Sequence, residues 1–114
     1  MALTMTRTRT QTTLTKLAEM VANVHGELAF VDELLLAGQY DGPRGKSVML
    51  TQAQRAGLAA RQAALLGRRE ALYATVKQFD PGLDPGGIGS GDEWRKRYGR
   101  NLGHVSLARR YLAL

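Results

Sequence analysis

Apolar side chains in the first third of the chain alternate at spacings of three and four residues. The seven positions, which we name the heptad seam, are Leu14, Leu17, Val21, Val24, Leu28, Val31 and Leu35. This spacing is typical of a heptad repeat and predicts one helix over residues 12–37. Its apolar stripe, about 39 Å long at 1.5 Å per residue, needs a helical partner. Phe30, Ala29 and Leu36 lie further round the helix and predict burial on more than one side.

A second helix is predicted over residues 52–78. Thr51 and Gln54 form a capping-box signature before it, and Pro81 follows its end. Leu58, Leu65 and Leu72 recur every seventh residue and give this helix its own packing stripe. Because the connection at residues 38–50 is short and glycine-rich, the two helices should form an antiparallel hairpin.

The second helix also has a stripe of small residues on its opposite side. Its members are Ala53, Ala56, Ala60, Ala63, Gly67 and Ala74. Leu58 and Ala60 are two positions apart, about 200° around the helix. We name this stripe the outer face of the second helix. It predicts packing against either the C-terminal segment or a second copy of the chain.

The C-terminal third contains a linker and further helix. Residues 80–91 hold five glycines and two prolines, which predict an extended linker. Ser90 and Glu93 have the spacing of another capping box, and Trp94 and Tyr98 share one helical face beyond it. The alternative is a break at residues 99–103 with a last short helix.

Together these patterns predict an all-α protein. Residues 1–11 form an N-terminal arm, and residues 12–114 form one helical domain with the linker at 80–91. The hairpin has two apolar faces, more than one short third helix covers, and small cores are marginal. We therefore expect a homodimer whose two copies complete a helical bundle.

Composition narrows the function. The chain has 114 residues, no cysteine and two histidines, and its net charge is +6. Cysteine-based metal or redox sites are therefore excluded, and no apolar run reaches the ~20 residues of a membrane span. The N-terminus has no hydrophobic stretch typical of a secretory signal, so a cytoplasmic protein is expected. Arginine outnumbers lysine 12 to 4, which suggests a GC-rich bacterial gene.

The C-terminal segment is strongly basic. Between residues 94 and 114 the chain carries six bases and no acid: Arg95, Lys96, Arg97, Arg100, Arg109 and Arg110. Arginines neutralise phosphates, and aromatic residues such as Trp94 and Tyr98 can stack on bases. This pattern predicts nucleic-acid binding. The alternative is a structural helix, with the two aromatic residues as core anchors and the bases as its solvated edges.

Other polar residues have structural interpretations. Arg61 and Arg68 on the second helix have the spacing to pair with Glu19 and Glu33 on the first. His25 lies beside the heptad seam and is expected to hydrogen-bond a carboxylate.

Nothing in the sequence indicates catalysis. The string GPRGKS ends like a phosphate-binding loop, but that motif requires glycine where Tyr40 stands and a strand before it. Paired acids, nucleophile–base sets and metal-ligand clusters do not emerge. We therefore predict a non-enzymatic protein without cofactor or metal, which oligomerises and binds nucleic acid. The alternative is an adaptor that holds another polypeptide on its helical surface.

Overall fold

Two long antiparallel helices dominate the structure. The computed structural model describes residues 9–99 and 104–113, with α1 spanning Arg9–Ala37 and α2 spanning Gln52–Phe79. Cross-helix partners run in opposite directions along the two helices, since Asp32 accepts from Gln62 while His25 meets Tyr73 nearer the start of α1. The predicted hairpin is confirmed. Helix α1 begins three residues earlier than expected, so residues 9–11 are helical; residues 1–8 of the predicted arm lie outside the described part.

The heptad seam forms the core with α2. Its buried members are Leu17, Val21, Val24, Leu28 and Val31, while Leu14 and Leu35 are half-buried. On α2 the buried positions are Leu58, Leu65, Leu72 and Val76. The apolar residues that recur along each helix sequence are thus the residues that are buried in the structure.

The C-terminal half of α1 is buried on a second side as well. Phe30 and Leu34 are 5% and 4% exposed, and the Phe30 ring packs on Trp94 and Tyr111 of the C-terminal segment. Ala29 and Leu36, which the pattern also assigned to this side, are exposed, and Leu36 is 90% exposed. The second buried side is therefore narrower than expected.

A small β-hairpin joins the two helices. Strand β1 (Gln39–Asp41) pairs antiparallel with β2 (Ser47–Met49), and a 3₁₀ turn at Pro43–Gly45 connects them. Gly38 ends α1 with a φ of +70°, a conformation that glycine adopts without strain, as its position after the helix predicts. The strands were not predicted, because three residues per strand are too few for an alternating pattern.

The capping box of α2 is formed as predicted. The Gln54 amide nitrogen donates to the Thr51 hydroxyl at 3.0 Å, and the Thr51 amide donates to the Gln54 side-chain oxygen at 2.9 Å. Two N–H groups that lack partners in the first turn are thereby satisfied.

The C-terminal segment returns along the hairpin. Residues 80–91 contain a hydrogen-bonded turn at 81–82 and a 3₁₀ turn at Pro85–Gly87. They lead into a 3₁₀ helix at Glu93–Tyr98, which we name the basic turn. Helix α3 follows at His104–Leu112. Two separate helical pieces are present, so the alternative with a break is the correct one.

The predicted capping box at Ser90 is wrong. Asp92, not Ser90, precedes the basic turn, and its side chain makes no capping hydrogen bond. The Trp94 amide instead donates to the Asn23 side-chain oxygen on α1 at 2.9 Å. The hydrogen bond at the start of the basic turn therefore comes from Asn23, 71 residues before Trp94, and not from Ser90.

Candidate nucleic-acid interface

The basic turn is held on α1 by its aromatic residues. Trp94 is 9% exposed, and its ring lies 5.2 Å from Phe30 and 6.0 Å from Tyr111, centroid to centroid. Tyr98 is half-buried and lies 5.0 Å from Tyr111. Aromatic pairs at these distances stabilise beyond the area that they bury. Trp94 is therefore a core anchor, and its face is not available to stack on a base.

The three cations of the basic turn are exposed but differ in their partners. Lys96 contacts Glu93 at 2.9 Å, and this hydrogen bond raises the pKa of the lysine. The Arg95 guanidinium lies 5.7 Å from the Trp94 ring centre. Arg97 makes no ion pair within residues 9–99 and 104–113. The positive charge of Lys96 is thus partly offset by Glu93. Arg95 and Arg97 are not in ion pairs with described carboxylates, so their charges are accessible to an anionic partner.

Helix α3 adds two further cations. Leu107, Ala108 and Tyr111 are buried, whereas Arg109 and Arg110 are exposed. Neither arginine is in an ion pair with a described carboxylate. Arg100, the sixth predicted residue, lies outside the described residues.

A buried polar triad ties α1, α2 and α3 together. Arg61 donates two hydrogen bonds to Glu27, at 2.7 and 3.0 Å, and Tyr111 donates a third at 2.7 Å. Glu27 is only 5% exposed. The predicted partners of Arg61, Glu19 and Glu33, are therefore wrong.

Titration of the triad follows from its geometry. Burial raises the pKa of Glu27, but the hydrogen bonds from Arg61 and Tyr111 outweigh it, so the pKa lies below its ordinary value. The pKa of Tyr111 is raised by burial and by the adjacent Glu27 carboxylate. A buried carboxylate with three donors is stable only while those donors remain in place.

His25 forms a second buried polar link. Its Nδ1 lies 2.8 Å from the Ile88 carbonyl oxygen, and its Nε2 meets the Tyr73 hydroxyl. A carbonyl only accepts, so Nδ1 donates the hydrogen bond to Ile88. The predicted carboxylate partner is therefore wrong. The histidine fastens the linker to both long helices.

A cleft of about 400 Å³ lies between α2 and the C-terminal segment. Its polar lining comes from Gln54, Arg61, Arg97, Tyr98 and Tyr111. Its apolar lining comes from Ala53, Gly57, Leu58 and Leu112. We name it the arginine cleft. A smaller cleft of about 210 Å³ shares Arg61 and Arg97 with it and also contacts Arg68.

The sequence analysis missed the triad, although a signal was present. Glu27 is three residues after Val24 and four before Val31, so it faces the same side of α1 as two buried residues. An acid in that position requires a hydrogen-bonding or cationic partner. Arg61 is the cation that the antiparallel register brings there.

Within residues 9–99 and 104–113, no group of three or more histidine, cysteine, aspartate or glutamate side chains is placed to hold a metal ion. None of the described helices combines the length and the apolar character that crossing a bilayer demands. No family model, curated protein or solved structure matches the chain.

Proposed function

We propose that this chain is a cytoplasmic, non-enzymatic helical protein that dimerises through α2 and binds nucleic acid through its C-terminal segment. One observation carries the nucleic-acid part. Four guanidinium groups, those of Arg95, Arg97, Arg109 and Arg110, are exposed and make no ion pair with a described carboxylate. Arginine presents its donors as a planar fork that matches phosphate oxygens.

The geometry favours contact with phosphates over recognition of bases. Trp94 is buried under the basic turn, so its ring is not a stacking platform beside the exposed arginines there. Phosphate contacts supply affinity and positioning without sequence preference. We therefore expect binding that is strongly salt-dependent and nearly independent of sequence.

The dimer part of the proposal rests on the outer face of α2. Every residue of that face is exposed, and a Cβ added at Gly67 would meet nothing within 4 Å. Ala53, Ala60, Gly67 and Ala74 recur every seven residues, so the face is straight and repetitive. An identical helix related by a twofold axis fits such a face best, because the interface is then self-complementary. The occupant we propose is a second copy.

An adaptor is the second candidate function. Leu36 and Met49, next to the β-hairpin, are 90% and 74% exposed. Exposed apolar side chains of this size favour docking of another polypeptide. An adaptor needs no nucleic acid, so a nucleic-acid titration separates the two candidates.

Neutralising the unpaired arginines should weaken nucleic-acid binding without unfolding the protein. Arg97→Gln and Arg109→Gln should each reduce the slope of log K against log salt by about 0.7–0.9. Because each removes one phosphate contact, the loss should be equal for different sequences. Fluorescence anisotropy with single-stranded and duplex probes measures both effects. Lys16→Gln is the matched control, since Lys16 is exposed on α1 and contacts Glu19 at 4.0 Å. Equal slopes for all three variants would contradict the proposal.

Light scattering tests the dimer. The chain mass is 12.5 kDa, and we expect the wild type to have twice that mass. Ala60→Glu places a charge in the middle of the outer face and should shift the protein to a monomer, because both copies would bury that charge. Thr12→Glu, at an exposed position of α1, should leave the mass unchanged. A monomeric wild type would overturn this part of the proposal.

A further inference from the structure

We infer that the arginine cleft binds one nucleotide, with its phosphate on Arg97 and Arg61 and its base against Tyr98 and Leu112. The inference deepens the proposed function and rests on it, because the surrounding basic surface would bring a strand to the cleft. Its volume of about 400 Å³ falls within the 300–1,000 Å³ common for small-molecule pockets.

The cationic end of the cleft contains two guanidinium groups, one in an ion pair and one without an ion pair to a described carboxylate. Arg61 is held by Glu27 through its Nε and one Nη atom, so its other amino group is left to a ligand. Arg97 makes no ion pair with a described carboxylate. Their two positive charges exceed the one negative charge of Glu27. An anion placed between them gains both hydrogen bonds and net attraction.

The orientation of Arg61 is fixed before any ligand arrives. A bidentate pair with a buried carboxylate holds the guanidinium plane, and Tyr111 donates to the same carboxylate oxygen as Arg61 Nε. A group that is already ordered loses little further conformational entropy on binding. This preorganisation distinguishes the cleft from the exposed arginines of α3.

The other end of the cleft suits a flat, partly apolar body. Tyr98 is half-buried, and the Leu58 and Leu112 side chains complete an apolar lining beside it. Stacking of a base on an aromatic ring is sequence-tolerant and adds affinity. Gln54 supplies an amide whose oxygen is engaged with Thr51 and whose N–H₂ group can donate to a ligand. Phosphate at one end and an aromatic ring at the other is the chemistry of a nucleotide.

A larger side chain at Gly57 would fill the cleft without changing the polar side chains that line it. It lines the cleft, and a Cβ built there would meet nothing within 4 Å. Gly57→Leu should therefore occupy the space of the ligand while α2 stays intact. Ala59→Leu is the matched control, because Ala59 is exposed on the same helix and belongs neither to the cleft nor to the outer face. Leucine is a good helix former at both positions, so neither variant should unfold.

Calorimetric titration with AMP, adenosine and inorganic phosphate at ~50 mM salt tests the inference. We expect wild type and Ala59→Leu to bind AMP equally, at least tenfold more tightly than adenosine or phosphate alone. Gly57→Leu should weaken AMP binding at least tenfold. Equal AMP binding by Gly57→Leu and wild type, or no AMP binding by the wild type, would overturn the inference.

A labelled oligo(dT) separates this inference from the proposed function. If AMP binds through the cleft and Gly57→Leu also weakens oligo(dT) binding, the nucleotide belongs to a strand. If AMP binds but oligo(dT) does not, the cleft takes a free nucleotide and the nucleic-acid proposal fails. If oligo(dT) binds equally to wild type and Gly57→Leu, and AMP does not bind, the cleft inference fails while the proposed function stands.

Discussion

Replacing Arg61 with methionine should lower the free energy of unfolding by about 3 kcal/mol at neutral pH. The reason is that the two side chains of the Arg61–Glu27 ion pair differ in solvent exposure. Glu27 has a side chain only 7% exposed, whereas that of Arg61 is 39% exposed. Removal of the arginine leaves a charged carboxylate where water does not reach it. Removal of Glu27 should cost less, because the arginine can be hydrated. Denaturant unfolding measures both.

Arg68→Met is the control for this variant. Arg68 is seven residues further along the same helix, is exposed, and makes no ion pair with a described residue. Its replacement should change the stability by less than about 0.5 kcal/mol. If the two variants were equally stable, Glu27 would not depend on Arg61 for its charge.

The loss of unfolding free energy caused by Arg61→Met should also depend on pH. In the wild type the pKa of Glu27 is lower than in the unfolded chain, so this group stabilises the fold above the unfolded pKa and loses that contribution as the pH falls. In the variant, burial dominates and the pKa rises above the unfolded value. The carboxyl is then neutralised as the pH falls from 7 toward 4, and the gap between the two proteins should narrow. A gap constant over this interval would contradict the account.

Gly26→Ala is the second substitution with a large expected effect. A Cβ at this position of α1 would lie 1.9 Å from the Gly91 carbonyl oxygen and 2.9 Å from the Trp94 indole nitrogen. Alanine is the better helix former by about 1 kcal/mol, but it would push away the linker that packs there. We expect a net loss of about 2 kcal/mol, typical of overpacking.

Gly57→Ala shows the opposite sign if this interpretation is correct. Gly57 is also helical, in α2, and a Cβ there meets nothing within 4 Å, so only the helix propensity changes. Stability should rise by roughly 0.5–1 kcal/mol. Trp94 fluorescence adds a local readout, because displacement of the linker in Gly26→Ala should expose the indole. If Gly26→Ala were as stable as Gly57→Ala, the contact between the linker and α1 would be absent in solution.

The long helices could be predicted because their signals are local. The heptad seam and the Thr51–Gln54 capping box depend on residues within a few positions of one another. Packing then follows from the periodicity, since an apolar stripe on each helix leaves one antiparallel arrangement. Only the edges differ: Ala29 and Leu36 are exposed although burial was expected, because the C-terminal segment covers a narrower strip.

The C-terminal segment and the polar links could not be predicted in detail. The Ser90 signature fails because Asn23, from α1, binds the Trp94 amide. The partner of Arg61 depends on the offset between two helices, and about two helical turns separate Glu27 from the predicted partners Glu19 and Glu33. The arginine cleft likewise combines α2, the basic turn and α3. Contacts between distant segments decide each of these features.

The alternative interpretation of the C-terminal segment, a structural helix with aromatic core anchors, was partly correct. Trp94 is a core anchor, as a shared helical face predicts, and the cations occupy the solvated edge. Both statements are compatible with nucleic-acid binding, because the buried ring fixes the arginines in position. What they remove is base stacking on Trp94, and with it one source of sequence preference.

The salt dependence of nucleic-acid affinity tests the central proposal most directly. Four arginines, Arg95, Arg97, Arg109 and Arg110, are proposed to contact phosphates. Anisotropy titrations of the wild type with oligo(dT) should therefore give a slope of log K against log salt of about −3, near 0.7 for each phosphate on a single strand. A flat salt dependence, or no binding of single strands or duplex at ~50 mM salt, would contradict it.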